Sequence, residues 1–174
     1  MGGQALMARK MNYSARLPFT TEQVYEALRS RDYWDAIIEE MRKYSHNEMK
    51  TFDVKDSGID ITMLHTIPRT ELPDIAQTVM KKDMIITRNI HYDAYSETTA
   101  GTYDASIPAG PGSLTGVVSL FPTDAGATLR TTSEAKVYLP FIGGKLEQLM
   151  LVNLVDLWRG EGEVTENYLK TKHA

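Results

Sequence analysis

A few polar side chains fall where an apolar pattern marks the interior, and those are the places where chemistry could be done. His65 shares a strand register with Met63 and Ile67. A histidine so placed can act as a general acid or base, because its ordinary pKa lies near neutrality. More often such a residue is a core histidine bonded to a hydroxyl or to backbone. Arg88 falls in register with Met84, Ile86, Ile90 and Tyr92. On an inward face its guanidinium would hold a ligand carboxylate or phosphate by two parallel hydrogen bonds. Otherwise it forms an internal ion pair or reaches the rim. Asp156 and Glu161 could be its partners, although solvated positions suit both better. Tyr92 and Tyr103 could aim hydroxyls at a ligand or serve as plain core aromatics. Asn153 is a lone amide at the middle of an apolar helix stripe. Burying that amide unpartnered would cost about 1–3 kcal/mol, so it must bond backbone, Arg88, water or ligand.

Other chemistries find no footing. The chain has no cysteine, which removes disulfides, thiolate metal sites and thiol catalysis together. His46, His65, His91 and His173 show no ligand spacing, so no metal or other cofactor is expected. His91 belongs to the opposite register from Arg88 and should face solvent. The glycines of Gly110-Pro111-Gly112 and Gly143-Gly144 read as turn residues, without a phosphate-loop pattern. A net charge of −4 and the lack of any Lys/Arg cluster argue against a nucleic-acid surface.

The elements that must position these groups can be read from periodicity. Residues 11–17 alternate as a half-buried strand, with Met11, Tyr13, Ala15 and Leu17 on one face. Thr20 and Gln23 form a capping box for a helix to about Ser30, with Phe19 and Val24 as a staple. A second short helix follows, capped by Asp32 and apolar at Trp34, Ile37, Ile38 and Met41. Residues 43–54 alternate poorly and read only weakly as a strand. Residues 59–67 alternate well, and strands are expected over 84–96, 98–107, 114–121 and 129–139, with a short helix from Asp74 to Lys82. The last element is a long helix. Its stripe is read as Ile142, Leu146, Leu149, Met150, Asn153, Leu157, Gly160, Val164 and Tyr168 facing the sheet. Leu151, Val155 and Trp158 form a second apolar patch on roughly the opposite side, suited to contact with the short helices, a homodimer or a membrane surface.

The fold class is α+β: about seven antiparallel strands in the order β-α-α-β6-α, with a terminal helix long enough to cross the sheet. This is the helix-grip layout. His91-Tyr92, Ile107-Pro108-Ala109-Gly110 and the run from Val137 through Tyr138-Leu139-Pro140-Phe141-Ile142-Gly143-Gly144-Lys145-Leu146 to Glu147 carry a resemblance. On them the chain resembles the START-like superfamily of pollen-allergen-type ligand binders and polyketide cyclases. Within it the chain looks most like an actinobacterial domain-of-unknown-function branch. The resemblance covers roughly residues 11–170 and implies a hydrophobic cavity between sheet and terminal helix. It brings no catalytic residues with it. Residues 1–9 are expected to be a flexible leader and residues 10–172 one START-like domain. The leader has no apolar stretch of the signal-peptide kind and no run reaches membrane-spanning length, so a cytoplasmic protein without integral membrane association is expected.

Small side chains argue for a hollow. Thr131, Ser133 and Ala135 lie between larger residues on the last strand, and Tyr103, Ala105, Gly116 and Val118 face inward on the strands before it. Together with His65, Arg88, Tyr92, Leu149, Met150 and Asn153 these form the expected ligand site, mostly apolar with a few polar anchors. Met63, Met150 and Tyr103 could instead fill the space. The leading expectation is binding or carriage of a hydrophobic small molecule or lipid, admitted by movement of the loop 68–74 or the loop before the last helix. The alternatives are a cyclase, aromatase or hydratase with His65 or a tyrosine as acid–base group, and an interaction module working through Leu151, Val155 and Trp158.

Overall fold

A computed structural model of the chain describes residues 9–43, 46–72, 74–78, 81–106, 112–137 and 143–174. Its strands are β1 (Arg9–Leu17), β2 (His46–Lys55), β3 (Gly58–Ile67), β4 (Met84–Asp93), β5 (Thr99–Ser106), β6 (Gly112–Thr123) and β7 (Gly126–Val137). Its α-helices are α1 (Thr21–Leu28), α2 (Arg31–Met41), α3 (Asp74–Gln77) and α4 (Gly143–Lys172), with a 3₁₀ turn at Arg69–Glu71. The strands form one open, curved antiparallel sheet in the order β1-β7-β6-β5-β4-β3-β2. Every neighbouring pair except β1–β7 is consecutive in the chain, as hairpin connections demand.

Local chemistry explains the beginnings of the elements. Thr20 accepts from the Gln23 amide at 3.0 Å, while the Gln23 side chain accepts from the Thr20 amide at 3.0 Å, so the capping box forms as its spacing predicts. The N-cap of α2 is Ser30, and Asp32 lies inside the first turn. There the acid still complements the positive end of the helix. The expected helix over 74–82 shortens to four residues.

The weak alternation of the second strand has a structural cause. The β2–β3 register shifts between Met49 and Thr51, where Lys50 is the extra residue. Inward positions are therefore Asn47 and Met49 before the bulge and Phe52 and Val54 after it, which breaks the period of two.

The core lies between the inner face of the sheet and the helices α1, α2 and α4. Ile59, Ile61 and Met63 of β3, Ile90 and Tyr92 of β4, and Leu120 of β6 meet Leu28, Tyr33, Trp34 and Ile37 of α1 and α2. At about 1.5 Å per residue the 30 residues of α4 run roughly 45 Å, enough to cross the whole sheet. The buried stripe of α4 includes Glu147, Leu154, Trp158, Thr165 and Leu169. This corrects the expected stripe by about one residue, or 100°: Leu157, Val164 and Tyr168 are only half-buried and the position of Gly160 is open. The sequence misleads because three inward positions are polar, and each finds its partner on another element. The Glu147 carboxylate accepts from the Val137 amide at 2.8 Å, Glu161 meets Arg88, and the Thr165 hydroxyl bonds that of Tyr33 at 2.7 Å.

Candidate functional site

The inner face of the sheet is a set of rows defined by strand register. One row runs Ile61, Ile90, Tyr103, Gly116, Ser133 and Met11 from β3 to β1. Tyr103 lies along it. Its ring passes over Gly116, where a Cβ would collide with the ring, and its hydroxyl bonds the Ser133 hydroxyl two strands away. Glycine at 116 thus makes room for an aromatic ring rather than for a guest.

Arg88 stands one row away, with only 8% of its side chain exposed. Its two terminal nitrogens donate to the two carboxylate oxygens of Glu161 at 2.7 and 3.2 Å. The guanidinium also lies 4.8 Å from the centre of the Trp158 ring, which meets Tyr103 edge-on at 5.5 Å between centroids. Burial opposes the charge of Arg88, but Glu161 holds the pKa above its usual value. The pair is therefore an ionised, nearly dry ion pair in the middle of the fold. Such a pair contributes little net stability over an apolar replacement, because desolvation offsets attraction.

Around this pair sit buried polar atoms that no described residue satisfies. Arg88 Nε and Trp158 Nε1 are both buried and have no hydrogen-bond partner, and neither has His65 Nε2. Both Nε of arginine and Nε1 of tryptophan can only donate. His65 is buried on β3, diagonally across from Arg88. Burial first, and the neighbouring positive charge of Arg88 second, push its pKa down to about 3. The ring is uncharged at neutral pH and a weak base, so it is poorly matched to acid–base work there. Burial likewise raises the pKa of Tyr92 and Tyr103.

A cavity of about 60 Å³ lies among these residues, bounded by the sheet on one side and by α2 and α4 on the other. It is far below the roughly 300–1,000 Å³ of ordinary ligand pockets and holds only a few waters. Of the residues expected to line a ligand chamber, Arg88, Tyr92, Tyr103, Val118 and Thr131 border it. Ser133 is fully buried beneath Tyr103, Ala135 is fully buried, and Ala105 is half-buried without reaching the cavity; His65 does not line it either. The side chains of Leu149, Met150, Leu151 and Asn153 lie outside the described ones, as do residues 107–110 and 138–142 of the motifs noted above. Among the described residues the Tyr103 and Trp158 rings take up much of the space between sheet and helix.

Sequence reasoning missed several members of the site. Trp158 was expected on the side of the terminal helix opposite its sheet-facing stripe, against the short helices, a partner or a membrane surface, yet it is 7% exposed and meets Tyr103 of the sheet. The Leu151/Val155/Trp158 patch therefore loses its largest residue to the core. For Glu161 a solvated position was favoured over pairing with Arg88, and it is the pairing that forms. Tyr33 and Trp34 enter from α2, and Tyr13 and Ala15 from β1. The β1 pair had a signal, since its alternation marked one buried face. On the outer face His91 bridges Asp60 and Asp93 at 2.8 and 2.9 Å, in its expected exposed register. Among the described residues no group of three or more acidic or histidine side chains could hold a metal ion, and no helix is long and apolar enough to cross a membrane.

A curved seven-stranded antiparallel sheet gripping a long terminal helix is a helix-grip fold. Solved structures share the fold. TTHA0849 from Thermus thermophilus superimposes with a TM-score of 0.63 at 12% identity, covering 95% of this chain and all of that one. Ara h 8.0201, of the Bet v 1-like START-like class, gives 0.54 at 12% identity, covering 95% and 99%. The chain belongs to the family described as Protein of unknown function (DUF2505), whose profile matches residues 12–169. An uncharacterised relative, Rv0481c of Mycobacterium tuberculosis, is 27% identical over 158 residues, 87% of this chain and 91% of that protein.

Proposed function

We propose that this protein binds a small hydrophobic molecule or lipid between the inner face of its sheet and α4, as a cytoplasmic binder or carrier. The observation that supports this best is the pair of buried donors, Arg88 Nε and Trp158 Nε1, left without a partner among the described residues, in two residues that border the cavity. Buried polar groups are almost always satisfied, and a group left open beside a hollow suits a guest. The site of interaction comprises Arg88, Tyr92, Tyr103, Val118, Thr131 and Trp158. At about 60 Å³ the cavity is the contracted form, and a guest enlarges it by turning the Tyr103 and Trp158 rings and lifting α4 from the sheet. The apolar body of the guest then packs on Ile90, Val118 and Leu129, at about 25 cal/mol per Å² of apolar surface removed from water. The fold shared with Ara h 8.0201 is compatible with this use.

The test is solvent extraction of the purified protein, with mass spectrometry of the extract and native mass spectrometry of the complex. A hydrophobic compound held near one per chain is the expected result. Protein that carries nothing, and whose Trp158 fluorescence in a Trp34→Phe background ignores every hydrophobic probe offered, would remove the binding reading.

A further inference from the structure

We infer that the guest presents an uncharged oxygen acceptor, such as a ketone, ester or hydroxyl, to Arg88 Nε and Trp158 Nε1, and that carboxylates are rejected. The inference rests on the binding reading above and adds the chemistry of the polar end. A buried arginine beside a cavity invites the opposite conclusion, that it waits for an anion. Here its charge is already met. Glu161 takes both terminal nitrogens of the guanidinium in a two-bond fork, and its own side chain is only 14% exposed. The ion pair is neutral as a unit. Among the described residues nothing else facing it adds positive charge: His65 is uncharged, and Tyr92, Tyr103 and Tyr33 are neutral phenols.

What remains open is geometric rather than ionic. The fork engages the end of the guanidinium and leaves Nε–H, on its flank, unpartnered. Trp158 stacks on the same guanidinium at 4.8 Å, and its Nε1–H is likewise unpartnered. Two donors on stacked groups beside one cavity call for acceptor lone pairs. A carbonyl oxygen carries two and brings no charge. A carboxylate would add a net negative charge to a dry site and repel Glu161, the cost that an unpaired buried charge always carries. The remaining lining includes Ala15, Leu17, Ile90, Val118 and Leu129, which suits an apolar body behind the oxygen.

Three probes of one shape separate the possibilities: 2-acetylnaphthalene, 2-naphthoate and 2-ethylnaphthalene, titrated into the whole protein by calorimetry and by Trp158 fluorescence. The ketone should bind at least tenfold more tightly than either the carboxylate or the hydrocarbon. Trp158→Phe should bring the ketone down to within a few-fold of the hydrocarbon. Glu161→Gln, which frees the charge of Arg88, should swing the ratio toward 2-naphthoate by tenfold or more. Wild-type protein that prefers 2-naphthoate, or binds ketone and hydrocarbon alike, overturns the inference while leaving the cavity reading intact. Failure of all three probes overturns this inference, and the binding reading falls with it only when the solvent extract is empty as well. The wild-type comparison decides the matter even if a variant does not fold.

Discussion

The chain has two tryptophans, both buried against α4 or its neighbours and both next to a tyrosine, yet they live in different surroundings. Trp34 on α2 is 3% exposed, and its Nε1 donates to the Leu28 carbonyl at 2.8 Å. Its neighbour Tyr33 is bonded to Thr165 and packs edge-on against Tyr168 at 5.5 Å. Everything polar in that description has a partner. Trp158 has none for its N–H, and it leans on an arginine whose Nε is equally open. One end of the cavity lining is finished as a core; the other is finished only in charge, through Glu161. The contrast separates residues that hold the fold from residues that the fold holds ready.

The sharpest way to break this contrast is to remove Glu161. Glu161→Ala leaves a buried guanidinium without its counter-charge, and stability should fall by about 3–5 kcal/mol, read by urea unfolding at pH 7. A loss near that of an exposed surface pair would mean that Arg88 is solvated and its surroundings are not dry.

Acid should strike the same end next. The folded pKa of His65, about 3, lies below the ordinary 6.5, so the unfolded chain binds the extra proton as pH falls between those values. Stability from this residue is therefore full above pH 6.5 and declines continuously toward pH 3. Between pH 6 and pH 4 the contribution is about 2–3 kcal/mol. His65→Leu should flatten the acid limb of the stability curve by that amount relative to wild type. Parallel curves for the two proteins would place His65 in water.

The smallest effect compares the tryptophans directly. Trp34→Phe and Trp158→Phe delete similar apolar surface, but only the first leaves a buried carbonyl unpaired. Trp34→Phe should cost about 1–3 kcal/mol more than Trp158→Phe, measured by thermal or urea unfolding of the unliganded protein. Equal losses would erase the distinction between the two ends.

Much of the frame was legible because it follows from local rules. The capping box at Thr20 and Gln23 and the alternation of residues 59–67 need no knowledge of the rest of the chain. β2 was harder, because the extra residue at Lys50 shifts the alternating pattern halfway along. The orientation of α4 was misread for a different reason. Glu147, Glu161 and Thr165 look like solvent residues until Val137, Arg88 and Tyr33 are brought to them from elsewhere in the fold. The size of the hollow could not be read either. It turns on Tyr103 reaching over Gly116 to Ser133, a relation among three strands that no single stretch of sequence contains. Arg88 was recognised as notable and Glu161 was among its possible partners, but the choice of Glu161 over Asp156 and over solvent, and so the sign of what Arg88 could attract, came only with the helix in place.

β1 and β2 are the outermost strands of the sheet, and α1 and α2 are the chain between them. The helices therefore tie one margin of the sheet to the other, as a string ties the tips of a bow. The arch over the long helix has a span set by covalent chain as well as by the twist of its strands. Tyr33 and Trp34 sit on that string and line the cavity, so the span of the bow and the shape of the hollow beneath it are tied through the same two residues.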